Sequence, residues 1–333
     1  MIRGSSLLAT GGGGSIDSAQ KMIKRLKKKV RLVDLNELDK RDAVVTVFGV
    51  GGKEKNDPVV SVRFALAAFM KYANISPSAI IPVEVGPLAV ATACFMASEL
   101  KLPVLNADIV GFRSSPEVFI ETISIPELPR EPLAAANEKG ETIILTKSTS
   151  IQTTEQILRN FATVSGGDAH VVGYPLNVRD IENVVGVNSI SSSIAIGIAL
   201  NKVQDNSLVT FCTNNNFVVL ANGIITRQKT AVKSGFTQGD VEIVDQSKNR
   251  WTIVIKNENM AALKNNNVVI TIPDSICLLD MDTKTGINNF EKNVGKQVAI
   301  LARRAIPIWR TKRGKALFSP KNLGLSIEQK LLR

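Results

Sequence analysis

The 333 residues contain a single histidine, His170, so no two-histidine metal centre can be built from this chain. Cysteine is nearly as scarce. Cys94, Cys212 and Cys277 stand far apart with no CxxC pair, which argues against a disulfide framework or a zinc ribbon and suits a reducing compartment. No stretch approaches the roughly 20 uninterrupted apolar residues of a membrane helix. The start offers one arginine and a short SLLAT run before glycine, which is not the pattern of a signal peptide. A cytosolic location is the expectation. Internal repeats and low-complexity tracts are also missing.

Charge, by contrast, is plentiful, with a net of +11. Its distribution matters more than its sum. Residues 21–31 carry seven basic side chains and no acid, and residues 303–333 carry nine with one acid, Glu328. These two patches exceed the whole net charge, so the remaining body is slightly acidic. In the first patch Ile16, Ala19, Met22, Ile23 and Leu26 recur at helical spacing, which leaves the lysines on a solvated face. No aromatic residues interleave with them, so nucleic-acid binding is not the expectation. The C-terminal patch is either an interface or a tail lying on the body.

Along the chain, the first half alternates short apolar runs with amphipathic segments, the pattern of an α/β domain around a mostly parallel sheet. Strands are expected at Val30–Leu35, Ala43–Val50, Ala79–Val85, Pro103–Asp108, Phe119–Ile125 and Thr142–Thr146. Helices are expected at Ser15–Lys29, Pro58–Ala73, Leu88–Lys101 and Thr153–Val164, with Ser15 as an N-cap and Pro58 at a first helical position. Gly166-Gly167 closes the last of these, which puts a domain boundary at 167. A strand (His170–Tyr174) and a serine-rich helix (Ser189–Lys202) follow. From Leu208 the texture changes to short β-branched runs (LVTFCT, NFVVLANGIITR, DVEIVD, WTIVIKNE, NVVITIP, QVAILARRAIPIW). Turn signals at 214–216, 237–240 and 265–267 separate them. Residues 168–333 therefore read as a β-rich domain, barrel or sandwich, with its β core at about 206–313.

Chemistry is expected in three places. Gly11, Gly12, Gly13, Gly14 and Ser15 lead into a helix, where close backbone approach and a helix N-terminus suit an anion or other ligand. The loop is neither a Walker A motif nor GxGxxG, since Ile16 takes the third glycine position. The acids fall where strands end: Glu54 after the strand closing at Val50, Glu84 before Gly86-Pro87, and Asp108, with Arg113 and Glu117 in the loop beyond. Ligands of open parallel sheets bind outside the carboxyl ends of the strands, so these residues are the candidate site. A divalent metal held by Glu54, Glu84 and Asp108 is chemically open, although spacing alone does not show one. His170 in its apolar run reads as a hydrogen-bonded core residue, and Cys94 and Cys277 as inert core.

At these residues the chain resembles the S-methyl-thiohydantoin desulfurase family. The resemblance rests on ATGGGGS near the start, VGGKEK (50–55), PVEVGPLA (82–89), LPVLNADIVGFRSSPEV (102–118), IKNENMAAL (255–263), ITIPDSICLLD (270–280) and IPIWRTKRG (306–314), in family order over nearly the whole chain. The chain departs from the family pattern at Pro87, where a glycine is usual, at Asn106, where an acid is usual, and at Phe112, which moves the arginine by one position. The resemblance implies a three-layer α/β domain followed by a β-rich domain. It also implies hydrolysis of an S-methylated thiohydantoin ring with release of a thiol. Family members are often fused to, or encoded beside, hydantoinase/oxoprolinase proteins. A non-catalytic subunit docking on such a partner through a basic patch is the alternative, and a homo-oligomer is open. For the reaction, Glu84 or Asp108 would act as base, while Arg113 or the glycine-loop N–H groups would stabilise negative charge.

Overall fold

The computed structural model describes residues 1–51, 57–203 and 207–333, so the expected site residue Glu54 lies outside the described residues. Contacts gather the chain into two compact units that do not follow a single cut in sequence. The α/β unit comprises Gly14–Gly111 and Glu117–Ile190; the β-rich unit comprises Met1–Gly13, Phe112–Pro116 and Ser191–Arg333.

The chain opens on α1 (Ile2–Leu8), which belongs to the β-rich unit. The α/β unit begins with α2 (Ile16–Ile23), whose N-cap Ser15 accepts the Ser18 N–H at 3.0 Å. Ala19 and Met22 are buried while the neighbouring lysines are exposed, as the amphipathic spacing requires. The helix stops at Ile23, well short of Lys29. The Lys27 and Lys28 N–H groups both donate to Ser98 Oγ at 3.1 Å, which draws the basic run out of helical geometry. Then come β1 (Leu32–Val33), β2 (Ala43–Gly51), α3 (Pro58–Ala73), β3 (Ala79–Ile80), α4 (Pro87–Leu100), β4 (Val104–Leu105) and β5 (Ala107–Asp108). Proline opens both α3 and α4, where its missing N–H costs nothing. Asn74 and Lys101 end them in the left-handed conformation. Helix α4 is apolar on all sides and buried over most of its length.

The unit is completed by β6 (Leu133–Ala136), β7 (Thr142–Leu145), α5 (Ile151–Val164), β8 (Asp168–Asn177), α6 (Val178–Ile181) and β9 (Gly186–Val187). Seven strands form one sheet in the order β1-β4-β3-β2-β8-β6-β7. The β1, β4, β3 and β2 pairings are parallel, and the remaining pairings are antiparallel. Five of the seven strands therefore run the same way, the mostly parallel sheet anticipated from sequence. Its core includes Phe48, Val50, Ile81, Leu133, Val171 and Tyr174. Phe119–Ile125, expected as a strand, is instead a turn with a 3-10 helix at Thr122–Ser124. Thr122 donates both its N–H and its Oγ1 to the Ile109 carbonyl, at 2.9 and 2.6 Å, which holds the chain out of the sheet. The sheet position goes to Leu133–Ala136, a run too short and too rich in alanine to read as a strand.

In the β-rich unit α7 (Ser189–Leu200, of which Ser189 and Ile190 count with the α/β unit) and α8 (Leu208–Asn214) precede β10 (Val218–Lys233), β11 (Phe236–Asp245), β12 (Arg250–Lys256), β13 (Glu258–Lys264), β14 (Asn267–Thr271), β15 (Ser275–Asp280), β16 (Gln297–Arg303) and α9 (Lys312–Leu317). The run LVTFCT, read as β from its branched residues, is helical because Leu208, Phe211 and Cys212 share one buried face. Residues 237–240 lie inside β11 rather than at a turn. The reversal occurs at Ser234-Gly235, both with positive φ. The seven strands form one antiparallel sheet, β14-β13-β12-β11-β10-β16-β15. Trp251, Ile253 and Ile255 alternate inward along β12, within the run WTIVIKNE expected to be β. The sheet curls on itself, with Asn259 Nδ2 of β13 donating to the Ile276 carbonyl of β15 at 2.9 Å. The basic C-terminal segment lies on this unit: Lys330 exchanges hydrogen bonds with Thr271, and the Leu332 N–H donates to Asp274 Oδ2 at 2.7 Å. Among the described residues, no helix is long and apolar enough to cross a membrane.

Candidate functional site

In the α/β unit, polar residues collect just beyond the carboxyl ends of the parallel strands. Asp34 follows β1, Glu84 lies in the loop between β3 and α4, and Asn106 and Asp108 follow β4. Glu84 is half-buried in the turn that feeds the N-terminus of α4. Asp108 is fully buried, and its Oδ2 accepts the N–H groups of Val110 and Gly111 at 3.1 and 2.6 Å. The carboxylate thereby shapes the turn into residues 110–111. Asn106 Nδ2 donates to Asp34 Oδ1 at 2.8 Å and to Asn188 Oδ1 at 3.2 Å. An amide serves here because an acid could not donate to Asp34. Glu117 is half-buried, and its charge adds to burial in raising the carboxyl of Glu155 above its usual range.

The glycine loop divides between the two units, Gly11–Gly13 in one and Gly14 and Ser15 in the other. Thr10, Gly11, Gly13 and Gly14 all take positive φ, a conformation glycine adopts without strain. At Gly11 and Gly12 close approach comes from the protein's own side chains. A Cβ on Gly12 would lie 1.9 Å from Glu258 Oε1, and one on Gly11 would lie 2.2 Å from Asn289 Nδ2. Glu258 is buried at the start of β13 beside a net of amides. Asn289 Nδ2 donates to the Asn257 carbonyl at 2.9 Å and to Asn259 Oδ1 at 3.0 Å. The Asn259 and Asn289 N–H groups donate to the carbonyls of Thr10 and Gly11. On the other side of the loop, α2 begins with Asp17 in its first turn, an acid already favoured by the positive helix end.

Arg113 belongs with the β-rich unit and is buried. Its Nη1 donates to the carbonyls of Pro273 and Asp274 at 2.9 and 3.2 Å, and its Nε to that of Ser114 at 3.1 Å. The guanidinium also lies 4.6 Å over the Phe318 ring, a cation–π contact. The neighbouring carboxylate of Asp274 is fully buried. It accepts the Ala305 N–H, both hydrogen bonds of Arg310 Nη1 and the Leu332 N–H, all between 2.7 and 3.1 Å.

His170 lies buried in β8 with Nδ1 2.8 Å from Ser61 Oγ, and burial lowers its pKa to about 4, so the ring is neutral. The three thiols are buried too. Burial pushes Cys94 and Cys212 up to about 11 and Cys277 up to about 12, which leaves them protonated and unreactive. Among the described residues no group of three or more His, Cys, Asp or Glu side chains is arranged to hold a metal. Two buried polar groupings escaped the sequence reading. One is Glu258 with its asparagines, whose only signal was an acid flanked by amides in the run KNEN. The other joins Glu121, Arg130 and Tyr174, with the Arg130 Nε and the Tyr174 hydroxyl donating to Glu121 at 2.9 and 3.0 Å. Burial raises the Glu121 carboxyl to about 7 against the pull of Arg130. These three residues are scattered in sequence, so no local pattern announced them.

No curated protein matches the chain. The fold is that of a crystal structure of a protein from Chromobacterium violaceum, with a TM-score of 0.85 and 21% identity over 99% of this chain and 96% of that one. The models for the S-Me-THD-like N-terminal and C-terminal domains match residues 1–147 and 149–332, so the chain belongs to the S-Me-THD-like family.

Proposed function

We propose that the protein hydrolyses hydantoin-type rings, removing a thiol from an S-methylated thiohydantoin. The observation that carries this reading is the row of polar side chains at the carboxyl ends of the parallel strands, joined to membership of the family. Within that row Glu84 is the base. It is a carboxylate with part of its surface open, whereas Asp108 is fully enclosed and engaged by its own turn. Water adds to the ring carbon that bears sulfur while Glu84 takes a proton from it. The carbon–sulfur bond then breaks, the thiolate leaves with a proton as methanethiol, and the ring keeps the new oxygen as a carbonyl. Asp108 and Arg113 act as positioning groups, one fixing the 110–111 turn and the other the segment at Ser114.

The test is methanethiol release from an S-methyl-thiohydantoin by wild type and by Glu84→Gln, Glu258→Gln and His170→Ala. Loss of a general base typically lowers the rate by about 10² to 10⁴-fold. That loss is expected for Glu84→Gln, with His170→Ala near normal. A Glu84→Gln enzyme at full rate removes Glu84 from the role, and loss confined to Glu258→Gln transfers it to Glu258. A wild type inert on all such rings that binds a hydantoinase-type protein replaces catalysis with the docking role.

A further inference from the structure

One edge of the α/β unit's sheet is the strand β7, which pairs with β6 on one side and, among the described residues, with no strand on the other. The β6–β7 hairpin sets which backbone groups face outward. Its turn closes with the Asn137 N–H donating to the Glu141 carbonyl at 3.1 Å and the Gly140 N–H to the Asn137 carbonyl at 3.2 Å, with Gly140 at φ +85°. Asn137 and Glu141 are thus a hydrogen-bonded pair. The register Ala135↔Ile143 and Leu133↔Leu145 continues that set at every second residue. Residues 141, 143 and 145 therefore point their backbone groups toward β6. Residues 142, 144 and 146 point theirs away from the sheet.

The same segment reads nearly the same in both directions. Around Ile144 as centre, the sequence Glu141-Thr142-Ile143-Ile144-Leu145-Thr146-Lys147 places Ile143 against Leu145, Thr142 against Thr146, and Glu141 against Lys147. We propose that β7 is the seam of a twofold-symmetric dimer, pairing antiparallel with β7 of a second copy of this chain in that register. The hydrogen-bonding parity agrees with it. Ile144 faces its symmetry mate, and Thr142 faces Thr146, both as pairs that use the outward backbone groups. Glu141 and Lys147 then meet in a non-hydrogen-bonded pair, where facing side chains come closest. Twofold symmetry makes this charge pair twice. An edge guarded against association carries proline or a bulge, or has like charges facing across it. Here the pairing is complementary, and Ile144 is 39% exposed with Phe64 of α3 at 43%, its ring lying 3.1 Å from where a Cβ of Gly140 would be. Such apolar exposure at an open edge fits burial against a like surface. Glu141 keeps its place through Asn137 Nδ2, which donates to Oε2 at 2.5 Å and leaves its other oxygen for the lysine.

The experiment is sedimentation of the full chain over a concentration series, with hydrogen exchange at the same concentrations. A dimer is expected, with Ile144 and Thr146 amides protected only as it forms. Ile144→Pro removes an outward N–H and no hydrogen bond to β6, so it should give a folded monomer. Glu141→Lys and Lys147→Glu should each raise the dimer dissociation constant by about tenfold through two like-charge pairs, and the double exchange should restore it. A wild type that stays monomeric at high concentration overturns the proposal. So does a dimer that survives Ile144→Pro, or charge variants whose combination fails to restore pairing.

Discussion

Glu258 Oε1 occupies the space where a side chain on Gly12 would begin, 1.9 Å from the ideal Cβ position. The glycine is required by a neighbour within its own unit, whatever else the loop binds. Gly12→Ala should therefore overpack this contact and destabilise the protein by about 1–3 kcal/mol. Shortening the neighbour in Gly12→Ala/Glu258→Ala should return part of that loss. Urea denaturation of the two single variants and the double variant measures the coupling, and strictly additive effects would show that the two residues do not compete for space.

Asp274 joins two parts of the β-rich unit that are distant from it in sequence, the stretch from Ala305 to Arg310 and the C-terminal Leu332. Its carboxylate is fully buried, so removing the charge leaves Arg310 without its ion partner. Asp274→Asn should cost about 3 kcal/mol, the usual penalty for breaking one side of a buried pair. The C-terminal segment should also become sensitive to proteases before the rest of the unit. Limited proteolysis with mass analysis reads this order, and a tail no more accessible than in wild type would show that its other hydrogen bonds, those to Thr271 and from Gln329 among them, hold it without Asp274.

Much of this architecture was legible in sequence where one physical rule acted alone. Pro58 at the start of α3 and the β-branched run WTIVIKNE that becomes β12 both predict what is found. Legibility failed where tertiary contacts outvoted local preference. Thr122 is drawn off a strand by the Ile109 carbonyl, and the lysines after Ile23 are drawn off a helix by Ser98. The polar groups show the same divide. Asp108 and Glu84 could be located because each follows an apolar strand. Glu121 and Arg130 could not, because their meaning lies in Tyr174, some fifty residues downstream of Glu121. An acid in sequence does not say whether it will be buried with a partner or left open to a substrate.

Asn106 stands where the resemblance leads one to expect an acid, and its amide is fitted to its neighbours. Its amide donates to Asp34 and to Asn188, so restoring an acid with Asn106→Asp would set two carboxylates 2.8 Å apart and remove both donors. The expected cost is about 1–2 kcal/mol. Asn106→Asp/Asp34→Asn reverses donor and acceptor across the same contact and should recover most of it. Thermal melting of the three variants decides this. A single Asn106→Asp variant as stable as wild type would mean that the amide is not what holds Asp34.

The response to pH brings two buried groups into opposition. His170 is neutral in the fold with its pKa lowered to about 4 by burial, against an ordinary value of 6.5. The unfolded chain therefore binds a proton that the folded chain refuses. Stability from this group is complete above pH 6.5 and is lost as pH falls toward 4, by roughly 3 kcal/mol in all. Glu121 works the other way. Burial raises its folded pKa to about 7 from an ordinary 4.5, so the fold holds a proton that the unfolded chain releases. Its contribution is complete below pH 4.5 and is lost as pH rises through 7. Between pH 4.5 and 6.5 the two slopes nearly cancel. His170→Asn, which keeps a hydrogen-bonding group for Ser61, removes only the first. Its stability relative to wild type should then climb as pH falls from 6.5 to 4, in urea titrations at half-unit steps. A difference between the two proteins that stays constant across this range would mean that His170 is protonated in the fold, and that its contact with Ser61 is not the neutral one described above.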